Sequence, residues 1–156
     1  MSTIGPAKEL VVDQLLQSVQ EELSSMESLA EMARDEATNS ETKSEGKYDT
    51  RATEASYLAR GQAWRIAELR KLVAWLASDI PRQVLSEPVV QVGAMVLIDG
   101  PRKEWTFVAP IGGKEAKIGD HTVRVISMAS PLGSAMVELE VDDVFEVDSP
   151  RGLLEY

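Results

Sequence analysis

The N-terminal half of the chain carries two long series of mainly apolar residues at the spacing of a coiled-coil seam. In the first series the steps alternate between four and three residues, and its members are Val12, Leu16, Val19, Leu23, Met26, Ala30, Ala33 and Ala37. The second series includes one polar residue and consists of Ala55, Leu58, Gln62, Ile66, Leu69, Val73, Leu76 and Ile80. A period near 3.5 residues keeps these side chains on one side of a helix, where a second helix must cover them. The pattern predicts two long helices that pack against each other.

The charges of the two predicted helices favour antiparallel pairing. Residues 1–41 contain nine acids and two bases, whereas residues 50–80 contain five bases and three acids, so the two helices attract each other. The segment between them, residues 39–50, is polar and rich in turn-forming residues, which predicts the tip of a hairpin. At about 1.5 Å per residue, a helix of about 30 residues extends about 45 Å. Such a hairpin can reach into another molecule but has no cleft of its own.

The sequence changes character after Pro81. Gly and Pro become frequent, and short β-branched runs appear at 89–92, 95–98, 106–108, 122–126, 136–141 and 144–147. These features are typical of short strands joined by turns. The predicted fold class is therefore α+β. An N-terminal antiparallel two-helix coiled coil over residues 1–80 is followed by a small β-rich domain over residues 81–156.

Composition excludes several classes of protein. The 156 residues contain no cysteine and one histidine, which excludes disulfide scaffolds, thiol chemistry and metal sites built mainly on Cys or His. The formal net charge of −10 argues against independent binding to DNA or RNA, because nucleic-acid affinity depends on cations that displace phosphate counterions. No apolar run approaches the length of a membrane span, and the N-terminus lacks the pattern of a signal peptide. We therefore expect a cytoplasmic protein that does not bind membranes.

Three short motifs carry a resemblance to a known family. They are Ser44-Glu45-Gly46-Lys47-Tyr48 at the predicted tip, Ser130-Pro131-Leu132-Gly133 in the second half, and Asp142-Asp143-Val144 followed by Ser149-Pro150-Arg151-Gly152 near the C-terminus. Their order and spacing, together with the coiled coil before them, resemble the Gre family of bacterial transcript-cleavage factors. The resemblance extends over almost the whole chain.

The resemblance implies a fold, a partner and a mechanism. The C-terminal domain would be FKBP-like and would dock on the rim of the RNA polymerase secondary channel, and the coiled coil would enter that channel. The tip carboxylates, which are Glu41, Glu45 and Asp49, would assist the Mg²⁺ of the polymerase active site in cleaving backtracked RNA. The chain would act as an accessory factor rather than an enzyme, as a monomer and without a cofactor of its own.

The resemblance also assigns contact residues outside the tip acids. The loop that would touch the polymerase consists of Ser130, Pro131, Leu132 and Gly133, and the arginines expected near nucleic acid are Arg51 and Arg60. A structural role is equally consistent with these residues. The Ser-Pro-Leu-Gly segment is predicted to be an exposed turn between strands, with Leu132 outward on a rigid backbone.

The tip departs from the family pattern, and two alignments remain open. If Glu45 takes the place of the family glutamate, Thr42 stands where the family has an aspartate. If the alignment is anchored on Tyr48 without a gap, Glu41 takes the aspartate position and Ser44 takes the glutamate position. Each alignment removes or displaces one acid of the pair.

The charge at the tip is consistent with two functions, one with RNA cleavage and one without it. The three tip acids are interleaved with the three bases Lys43, Lys47 and Arg51, so the tip is formally neutral and attracts a divalent cation less than an acidic tip would. The factor either stimulates cleavage, or occupies the channel and regulates transcription without cleavage. A prolyl isomerase and a coiled-coil adaptor unrelated to polymerase are further alternatives.

Two further expectations concern large side chains of the second helix. Arg60, Arg65 and Arg70 either contact nucleic acid or pair with the acidic first helix, and we expect ion pairs for at least half of them. Trp64 and Trp75 are expected to pack at the base and flank of the hairpin.

Overall fold

A computed structural model describes residues 4–41 and 49–156, and the burial of their side chains over residues 4–36 and 53–156. The chain forms two compact units. One unit comprises Gln17–Ala74, and the other comprises Met1–Leu16 together with Trp75–Tyr156. The first turns of the first long helix and the last residues of the second therefore group with the sheets. None of the helices in the described ranges is long and apolar enough to cross a bilayer.

Two long helices form a helical hairpin, as the sequence predicts. Helix α1 spans Lys8–Glu41 and helix α2 spans Asp49–Ala77. Helix α2 ends three residues earlier than the predicted Ile80. At its end the Ser78 hydroxyl donates a hydrogen bond to the Trp75 carbonyl oxygen at 2.7 Å, and Ile80–Arg82 then form a short 3-10 turn.

The predicted seam is confirmed over part of the hairpin unit only. Val19, Ile66 and Leu69 are buried there. Toward the connection between the helices the burial ends, since Leu58 is 65% exposed and residues 31–36 and 53–61 are all exposed. The expectation that Ala33, Ala55 and Leu58 are buried in the seam is therefore wrong. The Ala37 side chain lies outside the described ones.

Ion pairs connect the two helices of the hairpin. Arg65 Nη2 lies 3.2 Å from Glu22 Oε1, and Arg70 Nη2 lies 2.9 Å from Glu27 Oε1. Two of the three candidate arginines thus pair with the acidic helix, which confirms the expectation. Because both pairs are partly exposed to solvent, each contributes about 1 kcal/mol or less to stability.

One glycine of helix α2 gives a stability prediction. A Cβ atom added at Gly61 would meet no heavy atom within 4 Å, and the residue lies in the helix interior. We expect Gly61→Ala to raise the free energy of unfolding by about 0.5–1 kcal/mol, because alanine loses less backbone entropy in a helix. Chemical denaturation followed by helical circular dichroism measures this, and a lower midpoint would contradict it.

A four-stranded sheet forms the centre of the other unit. Its strands are β1 (Met95–Asp99), β2 (Lys103–Val108), β3 (Lys114–Ile118) and β4 (His121–Ile126), in the order β1-β2-β4-β3. β1 pairs antiparallel with β2, β2 pairs parallel with β4, and β4 pairs antiparallel with β3. A short helix α3 (Pro131–Met136) follows, and then a two-stranded antiparallel sheet of β5 (Glu146–Ser149) and β6 (Gly152–Glu155).

Both faces of strand β2 are covered. Phe107 is fully buried, and its ring centroid lies 5.9 Å from that of Trp75. The adjacent residues Thr106 and Val108 are also buried, and Val108 belongs to an apolar cluster with Ile126 and Leu132. The expectation that Trp75 is a packing residue is confirmed. The same expectation for Trp64 is wrong, because that residue is 65% exposed. Successive residues of a strand point to opposite faces, so this sheet is packed on both sides.

Two predicted strands are wrong. Residues 89–92 and 136–141 form turns and irregular structure, and Met136 ends helix α3. The two segments meet at one point, where the Val90 N–H donates to the Leu139 carbonyl and the Glu138 N–H donates to the Val90 carbonyl, both at 2.9 Å. Glu138 has a positive φ of 62° and Gly93 has a φ of 94°, so neither segment stays extended long enough to continue the pairing.

Polar contacts fix the chain around the start of helix α1. The Lys8 Nζ atom donates to the carbonyl oxygens of Gln83 at 2.6 Å and of Gly93 at 3.1 Å. Arg82 pairs with Asp13 at 2.6 Å. Burial lowers the pKa of Lys8 from its ordinary value. These contacts hold the segment after helix α2 against the first turns of helix α1.

Candidate functional site

The first candidate site is the connection between the two long helices. Glu41 is the last residue of α1 and Asp49 is the first residue of α2. Glu45 lies in residues 42–48, outside the described residues, and the side chains of Glu41, Asp49 and Arg51 also lie outside the described ones. Their assigned roles stay predictions.

Arg60 is exposed on helix α2. Its guanidinium carbon lies 5.7 Å from the centroid of the Tyr57 ring, within the range of a cation–π interaction. The guanidinium is therefore presented beside an exposed aromatic ring. That Arg60 lies near nucleic acid stays a prediction.

The second candidate site is the Ser-Pro-Leu-Gly segment, which starts helix α3. Ser130 is the N-cap, and its hydroxyl accepts a hydrogen bond from the Gly133 N–H at 3.0 Å. The same hydroxyl donates to the Ser127 carbonyl oxygen at 2.7 Å. Pro131 occupies the first turn, where a missing N–H and a fixed φ suit a helix start. Each of these residues therefore has a local structural function.

The expectation of an exposed turn between strands is wrong at this segment. Leu132 is only 7% exposed and joins the apolar cluster around Val108 and Met136. Because the segment is helical, Leu132 turns inward while Pro131 and Ser134 remain exposed. If this segment contacts a partner, the exposed surface comes from those two residues and not from the leucine.

A groove with a volume of about 850 Å³ lies beside this segment. Its lining comes from the start of β3, from β4, from the beginning of α3 and from the two-stranded sheet. The residues are Gly112, Gly113, Lys114, Glu115, Arg124, Val125, Ile126, Ser127, Ser130, Pro131, Leu132, Val147, Ser149, Leu154 and Tyr156. The groove thus combines apolar walls with three charged residues.

Several polar groups of the groove are already engaged within the protein. Arg124 Nη1 lies 3.3 Å from Glu104 Oε1, the Ser130 hydroxyl caps helix α3, and the Ser149 hydroxyl donates to the Gly152 carbonyl oxygen at 2.7 Å. Because these hydroxyls already donate to carbonyl oxygens, they are poorly suited to act as nucleophiles. The arrangement suits binding rather than covalent chemistry.

Tyr156 closes one side of the groove. Its ring stacks on Phe145 with centroids 5.3 Å apart, and the two residues exchange backbone hydrogen bonds of 2.8 and 3.0 Å. Gly100 lies directly against the Tyr156 ring, where a Cβ atom would overlap it. The position of this aromatic side chain is therefore fixed from two directions.

Sequence reasoning missed most of the groove. Strand β3 was not predicted, because its sequence Lys-Glu-Ala-Lys-Ile buries only Ala116. The sequence feature that could have indicated β3 is the two-residue turn Gly119-Asp120, which joins this strand to β4. In that turn Gly119 has a φ of 58°. Within the described part of the chain, no group of three or more His, Cys, Asp or Glu side chains is arranged to hold a metal ion.

Comparison with known proteins identifies the sheet-containing part of the chain. A family model described as "Transcription elongation factor, GreA/GreB, C-term" matches residues 85–156. Over 106 residues the chain is 35% identical to the transcription elongation factor GreA of Chelativorans sp. (strain BNC1), an alignment that covers 67% of this chain and 63% of that protein. The chain belongs to the Gre family.

Other Gre relatives are similar over comparable lengths. The GreA of Rickettsia prowazekii (strain Madrid E) is 37% identical over 93 residues, which are 59% of this chain and 55% of that protein. The chain thus spans less than two thirds of the length of these relatives. The crystal structure of Thermus aquaticus Gfh1 aligns with 20% identity over 89% of this chain and 88% of that chain, with a TM-score of 0.35. At that score the structural likeness adds nothing to the assignment.

Proposed function

We propose that this Gre family member binds RNA polymerase, enters its secondary channel with the tip of the hairpin, and stimulates cleavage of backtracked RNA. In this function the chain is an accessory factor, and one copy acts on one polymerase. The observation that carries the proposal is the family match over residues 85–156, on a chain whose preceding residues form a helical hairpin.

The sequence at the hairpin connection supports the cleavage function. Three acids lie within nine residues there, since Glu41 ends helix α1, Asp49 begins helix α2, and Glu45 lies between them in the sequence. Carboxylate oxygens are ligands that Mg²⁺ accepts, and Mg²⁺ bound to a polymerase can take one or two of them from a second protein. Among the three, Glu45 belongs to the motif that resembles the family tip.

The sheet-containing unit supports the docking function. The groove beside helix α3 has apolar walls, and Pro131 is exposed at its edge. A docking surface in this unit would leave the hairpin connection available for the polymerase active site. The FKBP-like fold expected for this unit stays part of the proposal.

A second candidate is a channel-binding regulator that does not support cleavage. Lys43, Lys47 and Arg51 alternate with the three acids, so the connection carries no formal net charge. A neutral segment attracts a divalent cation less strongly than an acidic one. This observation favours occupation of the channel without assistance to the metal.

The groove gives little support to a prolyl isomerase. Such an enzyme needs an apolar pocket rich in aromatic rings, and Tyr156 is the single aromatic residue among the described residues that line the groove. A protease-coupled proline peptide assay tests this alternative directly. We expect no acceleration over the uncatalysed rate.

The decisive experiment uses purified core polymerase halted in a backtracked complex. Addition of the chain with Mg²⁺ is expected to shorten the RNA, and Glu45→Ala is expected to lower the rate of shortening by about tenfold or more while binding to polymerase is kept, because one carboxylate ligand is lost. A matched control is Glu87→Ala, which removes an exposed acid outside the hairpin connection. With this variant we expect the RNA to be shortened at the same rate as with the unchanged chain.

Each outcome separates the candidate functions. Binding without shortening rejects the cleavage function and supports the channel-binding regulator. A failure to bind polymerase rejects both functions and favours the adaptor.

A further inference from the structure

Strand β3 forms an open edge of the four-stranded sheet. It comes last in the order β1-β2-β4-β3, and among the described residues no strand pairs with its outer side. Glu115 and Lys117 on this strand are exposed. An edge strand carries backbone N–H and carbonyl groups that can pair with another strand. A further strand can therefore add to the outer side of β3.

The turn between β3 and β4 decides which backbone groups of β3 point outward. Gly119 and Asp120 form a two-residue turn, so the flanking residues Ile118 and His121 are a hydrogen-bonded pair. In an antiparallel ladder such residues alternate with residues whose N–H and carbonyl groups point away from the partner strand. Counting back from Ile118, every second residue of β3 therefore directs these groups toward β4.

The residues in between, Glu115 and Lys117, direct their backbone groups to the outer side of the sheet. The start of the strand agrees with this assignment. The Gly113 N–H donates to the Val125 carbonyl oxygen at 3.0 Å, although Val125 is already the partner of Lys114. Two residues thus oppose one, with Gly113 at a φ of 85°, which is a β-bulge. Regular pairing begins at Lys114, and Glu115 and Lys117 each offer one outward N–H and one outward carbonyl group.

The charges on β3 are complementary to those of an identical antiparallel strand. Glu115 and Lys117 lie on one face of the sheet, one residue to either side of Ala116. If two β3 strands pair with their Ala116 residues opposite each other, Glu115 of each strand stands opposite Lys117 of the other. Opposite charges at directly opposed positions stabilise strand pairing, whereas like charges weaken it.

The backbone selects the same register. With the two Ala116 residues opposite each other, Glu115 and Lys117 form the hydrogen-bonded pairs, and these are the residues whose groups point outward. A shift of the centre by one residue would place Glu115 opposite Glu115, or Lys117 opposite Lys117. Both shifted registers bring like charges together. One register therefore satisfies the hydrogen bonds and the charges at the same time.

Charges within the chain also favour a cation at this edge. Arg124 of β4 is the cross-strand partner of Glu115, and the Arg124 Nη1 atom lies 3.3 Å from Glu104 Oε1. Glu104, Arg124 and Glu115 therefore alternate in sign toward the edge of the sheet. Lys117 of a second copy would continue this alternation, since it would stand next to Glu115 on the same face.

We propose that the chain forms a two-fold symmetric dimer in which the β3 strands of two copies pair antiparallel, centred on Ala116. The two four-stranded sheets then form one continuous sheet. The assembly is closed, because each copy uses its β3 edge and no further copy can add there. The other edge strand, β1, carries a single charged residue, Asp99, and so lacks the self-complementary pattern.

This dimer goes beyond the proposed function. Binding to polymerase does not predict it, and it is measured on the chain alone, so the polymerase experiment and the dimer experiment can fail separately. Lys114 and Glu115 also line the groove beside helix α3. A second copy paired with β3 would therefore lie at one side of that groove.

Sedimentation equilibrium of the full chain tests the proposal. Over a concentration series from about 10 μM to 1 mM, we expect the mass to rise from one chain toward two. Lys117→Glu should weaken association by about tenfold, because two attractive pairs become repulsive. The matched control is Lys71→Glu, which makes the same change at an exposed residue of helix α2 and should leave association unchanged. Circular dichroism verifies that each variant is folded.

A mixture of two variants tests the register. Glu115→Lys alone should also weaken association, since it places lysines opposite each other. In an equal mixture of Glu115→Lys and Lys117→Glu, one copy has two lysines and the other has two glutamates, so each charge meets an opposite one. We expect the mass of the mixture to rise toward two chains again.

Amide hydrogen exchange, resolved by residue with NMR, tests the pairing without any substitution. The N–H groups of Glu115 and Lys117 should exchange more slowly as the concentration rises, whereas the Ala116 N–H, which already faces β4, should not change. A mass of one chain over the whole series would overturn the proposal. So would a dimer in which exchange at Glu115 and Lys117 is unchanged, or folded variants whose mixture stays monomeric while the original chain dimerises.

Discussion

Gly133→Ala is expected to lower the free energy of unfolding by about 3 kcal/mol or more. A Cβ atom at this position would overlap the Ser127 carbonyl oxygen and lie 2.8 Å from its carbonyl carbon. The obstacle is backbone, so it cannot rotate away as a side chain would. Relief requires a shift of the start of α3, which breaks the hydrogen bonds that Ser130 makes to Ser127 and Gly133.

The measurement is guanidinium denaturation followed by the near-ultraviolet signal of Trp75 and Trp105, which both belong to the unit with the sheets. The matched control is Ser134→Ala, an exposed position one residue further along the same helix, where we expect a change within about 0.5 kcal/mol. An unchanged midpoint for Gly133→Ala would contradict the close approach of the two backbone segments.

Phe107→Ala is the second prediction with a large effect. The side chain is fully buried and its ring lies against Trp75, so alanine removes this ring contact and leaves a cavity in the core. We expect the free energy of unfolding to fall by about 3–5 kcal/mol, from lost apolar burial and from the cavity left behind. The near-ultraviolet signal of Trp75 should weaken even in the folded protein.

Phe107→Leu serves as the control for that change. Leucine keeps most of the volume and loses only the ring shape, and its expected effect is about 1.5 kcal/mol or less. If alanine and leucine were equally destabilising, the ring itself rather than the filled volume would be essential. If neither had an effect, Phe107 would not be a core residue of the folded protein.

The sequence was informative where a repeated pattern coincides with a buried surface. The two long helices follow from a 3.5-residue period, and Val19, Ile66 and Leu69 of that period are buried. The same period extends to Ala33 and Leu58, which are exposed. The periodicity indicates which side of a helix is apolar, but it does not indicate whether another helix packs against that side. The spacing of the apolar residues therefore could not predict that Leu69 is buried whereas Leu58 is exposed.

The second half was harder to predict for different physical reasons. Val89–Val92 has strong β propensity, but its hydrogen-bond partner turns away after one residue because Glu138 adopts a left-handed conformation. Strand β3 pairs on one side only, at the edge of the sheet, and its charged side chains hide the alternation. The start of strand β3 lines the groove, so the sequence, which did not predict this strand, could not predict the groove.

The family resemblance and the structure assign different functions to the Ser-Pro-Leu-Gly segment. The resemblance assigned the segment to a partner, whereas the structure gives Ser130, Leu132 and Gly133 functions in the start of α3. Both assignments can hold, because a docking surface needs a rigid backbone beneath its exposed residues. At Gly133 the local geometry admits no larger residue without a shift of the backbone.

The two ion pairs between the hairpin helices have a further consequence for how this surface can change. They add little stability, but they pair residues directly beside the seam of each helix and are therefore compatible with one rotation of each helix about its axis. Exchanging the charges of both pairs would keep that rotation and invert the local electrostatic pattern. The charge pattern of this hairpin can therefore change while its backbone geometry is retained.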